Sequence, residues 1–326
     1  MSIGRLLPAT ILAVATVWAS GCCGPEPKIT VSLGQLLREH NANARKVPRL
    51  WARARIELKL VTEEGTFRRG GALAAPGGYL FLAKGDDPLG PHDFVLVERE
   101  LGNDLFRIGN SLADGLYYFW YHYGSAGGGV YGRTSRAGES HDQALPLDPL
   151  QLLSALTVCE LPSGADSPPG RVVKLPAVAM TLDDNDACRR AYVVSYIDRR
   201  PATGQLGFRR EVYYHWDDRK PRRAFLVKFF DHRGRRVMEA RLGDYRSIAF
   251  GENEQPPAGD PPVMPTDIEI RWLRTGSRLR IVLSEMTTEQ RFDRDVFLLW
   301  DNLPGGMDRS SLTPVDAPPP NGADNR

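Results

Sequence analysis

Two cysteines, Cys22 and Cys23, stand side by side near the N-terminus of this 326-residue sequence. A cysteine thiolate is a nucleophile that can accept an acyl group, form a disulfide or ligate a metal. Directly before the pair stand Ala19, Ser20 and Gly21, whose small side chains let an enzyme approach the backbone closely. The chemistry that this arrangement favours is modification of a thiol next to a cleavable peptide bond.

The segment before the cysteines has the plan of a signal peptide. It carries one positive charge, Arg5, followed by an uncharged apolar run over residues 6–18. That run is shorter than the roughly 20 residues that a transmembrane helix needs, so a permanent membrane span is disfavoured. We therefore predict that residues 1–21 are a signal peptide and that residues 22–30 form a tether after cleavage.

The residues Ala19-Ser20-Gly21-Cys22 resemble the bacterial lipobox, although Ala19 stands where that motif usually has Leu. The resemblance implies that Cys22 is the lipid attachment residue and becomes the acylated N-terminus. Cys23 fits less well, because cleavage before it would leave Cys22 at a position that calls for Gly or Ala. Two or three acyl chains hold a protein stably on a membrane, at about 0.8 kcal/mol per buried methylene. The alternative is an ordinary secretory signal whose two cysteines enter disulfides.

Cys159 and Cys188 are the other two of the four cysteines. An exported protein matures in an oxidising compartment, so these two residues can form one disulfide. The bridge would join the end of a predicted helix to the start of the following strand. Two buried free thiols are the alternative.

Signatures of the common catalytic and metal sites are absent from the sequence. It has no GxSxG, HExxH, P-loop or paired CxxC pattern, and its six histidines are scattered without the spacing of metal ligands. The net charge of +2 gives no reason for the whole protein to bind nucleic acid. We therefore expect no catalysis, no metal site, no cofactor and no nucleic-acid partner.

Most of the secondary structure that the sequence predicts is β-strand. In the stretch LWARARIELKL, residues 50–60, apolar side chains alternate with mostly charged ones. Related patterns predict further strands at residues 67–74, 79–84, 94–98, 105–108, 116–123, 191–197, 208–216, 224–231, 235–242, 267–272, 278–283 and 291–298. Turn sequences join these segments, so the sheet should be large, antiparallel and strongly curved.

Two helices are predicted beside the sheet. Ser32 with Gln35 three residues later is a capping box, and the helix that it starts ends before Pro48. Asp148 and Pro149 begin the second helix, whose leucines recur at helical spacing. The predicted fold class is therefore α+β with mostly antiparallel β structure.

One domain accounts for most of the chain. No linker interrupts residues 31–300, and 42% of the whole sequence is hydrophobic, enough for a globular core. Residues 301–326 end in PVDAPPPNGADNR, a composition that cannot bury a core, so they are predicted to form a disordered proline-rich tail.

A lipobox followed by a helix and a long alternating strand resembles the bacterial LolA/LolB-like lipoprotein-carrier superfamily. Residues 106–123, FRIGNSLADGLYYFWYHY, resemble its unit of strand, turn and aromatic strand. Residues 145–158, LPLDPLQLLSALTV, resemble its leucine-rich helix. The resemblance implies an incomplete antiparallel barrel, or half-barrel, with an apolar concave face that two or more helices cover and that accepts acyl chains.

Physical reasoning about a curved sheet leads to a similar expectation. Two helices cannot fully cover the concave face, so that face either packs on itself or binds a ligand. The predicted apolar lining consists of strand residues Ile56, Leu58, Phe81, Leu96, Trp120, Phe225, Val227, Phe229 and Ile281. For each of them core packing is the alternative, since aromatic and β-branched residues favour strands in any case.

We therefore interpret the chain as a membrane-anchored lipoprotein of the bacterial cell envelope, a carrier or receptor for acyl chains or a lipidated cargo. Cys23 follows the acylated residue and is not the Asp associated with inner-membrane retention. That favours the outer membrane, with the domain facing the periplasm or the exterior. The alternative is a structural or assembly lipoprotein whose closed core leaves other surfaces to bind an envelope protein.

Overall fold

The computed structural model describes residues 31–62, 65–69, 77–123, 126–136, 149–162, 171–182, 188–199, 206–216, 222–231, 233–252, 254, 256 and 258–315. The predicted signal peptide and tether lie outside these residues, and so does Cys22. The last part of the predicted tail, residues 316–326, also lies outside them.

Two α-helices accompany the sheet within the described residues. Helix α1 is Leu33–Arg45, and its N-cap Ser32 accepts a hydrogen bond from the backbone N–H of Gln35 at 3.2 Å, as predicted. The side chain of Gln35 donates to Glu39 instead of returning to the cap, so half of the capping box forms. Helix α2 is the shorter Pro149–Ala155.

Fifteen strands make one sheet in the part of the chain that the structure describes. They are β1 Arg49–Thr62, β2 Gly65–Arg69, β3 Gly78–Ala83, β4 Asp93–Glu100, β5 Asn103–Ser111, β6 Leu116–Tyr123, β7 Ala126–Arg133, β8 Arg171–Leu182, β9 Cys188–Arg199, β10 Leu206–His215, β11 Ala224–Phe230, β12 Arg236–Ser247, β13 Val263–Trp272, β14 Ser277–Thr287 and β15 Leu312–Pro314. Their order is β15-β7-β6-β5-β4-β3-β1-β14-β13-β12-β11-β10-β9-β8, and β2 pairs with β1. Neighbours pair antiparallel except β15, which is parallel to β7. The prediction of a large, mostly antiparallel sheet is confirmed, and in the described part of the chain the sheet does not close.

Strand β1 joins two meanders. Along one edge its first half pairs with β3, as in Leu50 with Leu82, and its second half pairs with β2. Along the other edge it pairs with β14, where Ile56 lies opposite Ile281. The first strand of the chain therefore lies near the middle of the sheet, between β3–β7 on one side and β8–β14 on the other.

Some strand predictions are wrong for identifiable reasons. The strand predicted at residues 291–298 contains instead a 3₁₀ turn, Arg294–Phe297. Strands β7 and β8 were not predicted, because glycines in the first and Pro176 in the second weaken the strand pattern.

Residues 292–315, here called the C-terminal strap, cross one face of the sheet. They contribute Phe297 to an apolar cluster with Phe81 and Val95, and Leu299 and Leu312 to a second cluster with Trp120. The strap ends as β15 on the edge of β7. The first part of the predicted tail, residues 301–315, is therefore ordered.

Glycines in β7 make room for the strap. A Cβ atom on Gly129 would lie 2.7 Å from Cδ2 of Leu312, and one on Gly132 would lie 2.6 Å from Cγ2 of Val315. Contacts this short do not occur between real side chains. Gly129 and Gly132 are thus required by close packing on both sides, because a Cβ atom would lie as close to Trp120 and Tyr117 of the neighbouring strand β6 as to the strap.

Candidate ligand-binding face

One apolar cluster covers the face of the sheet opposite the strap, here called the inner face. It includes Leu36 and Leu37 of α1 and Leu152 and Leu153 of α2. The strand residues that join it follow the alternation predicted for β1, whose inward side chains are Leu50, Ala52, Ala54, Ile56, Leu58 and Leu60. The period of two in the sequence therefore produces a continuous apolar surface on this face.

Six of the nine predicted lining residues meet in this cluster. They are between 0% and 6% exposed, and they are Ile56, Leu58, Leu96, Val227, Phe229 and Ile281. The structure thus brings these six side chains onto one buried face.

Phe81 and Trp120 lie on the opposite, outer face, which corrects their predicted placement. Phe81 packs edge-on against Phe292 of the strap, with ring centroids 5.3 Å apart. Trp120 belongs to the strap cluster with Leu299. Their strands are apolar on both faces because the strap buries the second one, so alternation alone could not tell which face points inward.

Phe225 lies on the outer face because of a β-bulge. Tyr213 pairs with Leu226 and Tyr214 with Ala224, which leaves Phe225 without an opposite residue. A bulge shifts the alternation of side chains by one position. Phe225 therefore clusters with Tyr213 on the outer face, while Val227 of the same strand faces inward.

A polar contact on the inner face was not predicted. One ring nitrogen of His40, Nε2, lies 3.0 Å from the carbonyl oxygen of Cys159, and the other, Nδ1, lies 3.1 Å from the hydroxyl of Tyr214. Burial lowers the pKa of His40 to about 4, so the ring is neutral at physiological pH, donating to the carbonyl and accepting from the hydroxyl. The helical spacing of His40 with Leu36 and Leu37 was the signal that it faces inward.

Reciprocal amide contacts hold α1 over this face. The side chain of Asn41 donates to the carbonyl of Leu161 at 2.9 Å and accepts from its N–H at 2.8 Å. Asn43 makes the same two contacts with the backbone of Val263, at 2.9 Å each. Four hydrogen bonds thus fix the C-terminal half of α1, whereas the shorter α2 packs on β5 and β6.

Cys159 carries a free thiol. Burial raises the pKa of that thiol to about 11, which keeps it protonated and unreactive. This free thiol disagrees with the predicted disulfide between Cys159 and Cys188, and the side chain of Cys188 lies outside the described part of the structure.

Two further properties concern only the residues that the structure describes. Within them, no group of three or more His, Cys, Asp or Glu side chains is placed to hold a metal ion. No helix among them combines the length and apolar character that crossing a membrane requires.

Several solved structures resemble this chain over most of its length. A DUF1329 family protein from Desulfovibrio piger is 10% identical, with a TM-score of 0.44, and the match covers 82% of this chain and 98% of that one. A LolA superfamily protein from Nitrosomonas europaea is 12% identical, with a TM-score of 0.42, and the match covers 84% of this chain and 100% of that one. No family model and no curated protein matches the sequence.

Proposed function

We propose that the protein is a lipid-anchored lipoprotein of the bacterial envelope whose inner face binds acyl chains, as a carrier or receptor without catalysis. The observation that supports this is the size of the apolar inner face compared with its helical cover. Fourteen strands in one path, about 4.8 Å apart, span roughly 60 Å. The 13 residues of α1 and the seven of α2 are only about 20 and 10 Å long.

Helices of that size cover a minor part of such a face, yet its side chains are almost fully buried. We infer that the sheet curls into the predicted half-barrel, so that the inner side chains of β1, β4, β11 and β14 face a common interior. An acyl chain that enters this interior replaces contacts between apolar side chains with contacts between side chains and the acyl chain. Its transfer out of water is favourable by about 0.8 kcal/mol per buried methylene. The short helix α2 is the part of the cover whose displacement would expose the least surface.

One observation favours the alternative of a closed core. Leu96, Val227 and Ile281 are 0% exposed, as expected for side chains that pack permanently against each other. In that case the protein is a structural or assembly lipoprotein, and the outer face or the tail binds an envelope protein.

Native mass spectrometry of the full chain separates the two functions. The protein is extracted in mild detergent, and lipids bound loosely to its surface are removed by detergent exchange before the measurement. The carrier function predicts a species with a retained lipid mass in addition to the covalent anchor. That mass should disappear when the protein is denatured, whereas the anchor should remain. A protein that never carries more than its anchor contradicts the carrier function.

The membrane anchor is tested by Cys22→Ser. A serine hydroxyl cannot replace the thiolate that accepts the diacylglyceryl group. We expect the variant either to leave the membrane fraction completely or to accumulate as an uncut precursor, as measured by fractionation and intact mass. Cys23→Ser is the matched control and should fractionate like the parent. Normal processing and membrane retention of Cys22→Ser would refute the lipid attachment at this residue.

A further inference from the structure

A basic cleft lies at the end of the sheet where β1 begins and β3 ends. It has a volume of ≈ 220 Å³, and its lining includes Pro48, Arg49, Lys84, Gln290, Phe292 and Arg294. That volume corresponds to about seven water molecules at roughly 30 Å³ each. It is below the range of about 300–1,000 Å³ typical of pockets for drug-sized ligands. The cleft thus suits a small polar group better than an acyl chain.

Lys84 brings a half-buried positive charge to the cleft. Its ammonium donates to the carbonyl oxygen of Ala44, in the last turn of α1, at 2.5 Å. Burial lowers the pKa of Lys84, and among the described residues no carboxylate forms an ion pair with it. An ammonium has three donor hydrogens, so two of them remain for another acceptor. No carboxylate is therefore bonded to Lys84, and the nearby carboxylate of Glu160 acts on it only through space.

Arg294 supplies a second positive charge that is not bonded to a carboxylate within the described residues. Its side chain is exposed at the cleft and has no hydrogen bond or ion pair within the described part of the chain. Arg49, the third basic residue, differs because it donates to the carboxylate of Glu254 and to the carbonyl of Thr288. Arg49 is thus neutralised, whereas Lys84 and Arg294 are available.

One carboxylate, that of Asp93, lies near the cleft. The positive charge of Arg294 acts to lower the pKa of Asp93, but burial outweighs it and raises that pKa overall. Asp93 already accepts a hydrogen bond from the backbone N–H of Leu112 at 2.7 Å. Asp93 is not part of the lining of the cleft, which among the described residues includes three basic residues and no carboxylate.

We propose that the basic cleft binds a phosphate group through Lys84 and Arg294. A guanidinium fork matches two phosphate oxygens, and an ammonium acts as a point charge on a third. Gln290, which also lines the cleft, can donate its amide N–H to the same anion. The group comes either from free phosphate or from the headgroup of a phospholipid. None of the residues that line this cleft belongs to the apolar inner-face cluster, so the site does not depend on the acyl-binding function.

Calorimetric titration of the full chain with sodium phosphate tests the site. Loss of one charge-assisted hydrogen bond should weaken binding about tenfold, so Arg294→Gln and Lys84→Gln should each raise Kd by about that factor. Lys84→Gln keeps a donor for the carbonyl of Ala44, and thermal melts verify that both variants fold. Arg274→Gln is the matched control, because Arg274 is exposed on the β13–β14 hairpin, away from the cleft.

Parallel titrations with soluble dihexanoylphosphatidylglycerol identify the source of the group. If the parent binds this lipid more tightly than phosphate, and Arg294→Gln weakens the binding of the lipid, the site is assigned to a headgroup. If the parent binds phosphate more tightly than the lipid, and the same variant weakens the binding of phosphate, the site is assigned to the free ion. The proposal is overturned if neither compound binds, or if Arg294→Gln and Arg274→Gln bind both compounds like the parent.

Discussion

Arg107→Met is expected to lower the free energy of unfolding by roughly 3–5 kcal/mol, the usual cost of breaking a buried ion pair by removing one partner. The side chain of Arg107 is 0% exposed on the outer face, and its Nη2 lies 2.7 Å from the carboxylate of Asp104. Its Nη1 donates to the carbonyl of Val296 in the C-terminal strap at 2.6 Å. Methionine fills a similar volume but leaves that carbonyl without its donor.

Neighbouring contacts explain why the loss should loosen the strap in particular. Tyr118 donates to the carbonyl of Phe297 at 2.8 Å, and the carboxylate of Asp114 accepts from the N–H of Leu299 at 2.8 Å. Together with Arg107 these side chains hold three strap residues against the sheet. Limited proteolysis of the Arg107→Met protein should therefore cut first within residues 292–315.

Arg99→Met is the matched control for this prediction. Arg99 also pairs with Asp104, at 2.5 Å, but its side chain is 37% exposed. An exposed ion pair typically contributes about 0–1 kcal/mol. Urea denaturation should therefore separate the two variants clearly. Equal midpoints would show that the burial of Arg107 contributes nothing, contrary to the prediction.

Val227→Glu is expected to abolish uptake of a fluorescent fatty acid while leaving a soluble protein that melts cooperatively. Val227 is 0% exposed and shares the inner-face cluster with Phe229. If this face opens to admit acyl chains, it can also admit water to solvate a carboxylate. In a permanently closed core, an unpaired charge would cost several kcal/mol, a large part of the stability of a typical domain.

Val282→Glu is the matched control, because Val282 is half-buried on β14 opposite Arg55, whereas its neighbour Ile281 belongs to the inner-face cluster. We expect it to fold and to take up the fatty acid like the parent. An insoluble or unfolded Val227→Glu protein would favour the closed core. Unaltered uptake by a folded Val227→Glu protein would contradict the assignment of Val227 to the binding face.

Local patterns predicted the elements well. The predicted strand at residues 116–123 coincides with β6, and the Ser32 cap starts α1 where its sequence indicates. The placement of side chains on faces was less predictable. Alternation orders the residues of one strand relative to each other, but it does not show which face points inward. Phe81 points outward because the distant strap buries that face.

Features that depend on distant segments gave no signal in the sequence. The bulge at Phe225 follows from the register between β10 and β11, which the residues of one strand do not encode. The basic cleft likewise combines Lys84 with Arg294, from opposite ends of the domain. No spacing rule connects residues that only tertiary packing brings together.

The position of β1 near the middle of the sheet has a consequence for the order of folding. Trp51, close to the start of the domain, pairs with Thr287, close to its end. Pairings between segments so far apart in sequence close large loops and form slowly. The first meander can assemble on one edge of β1, but the other edge stays open until β14 has been synthesised. The sheet can therefore be completed only when nearly the whole domain is available at once, which makes folding a late event for this chain.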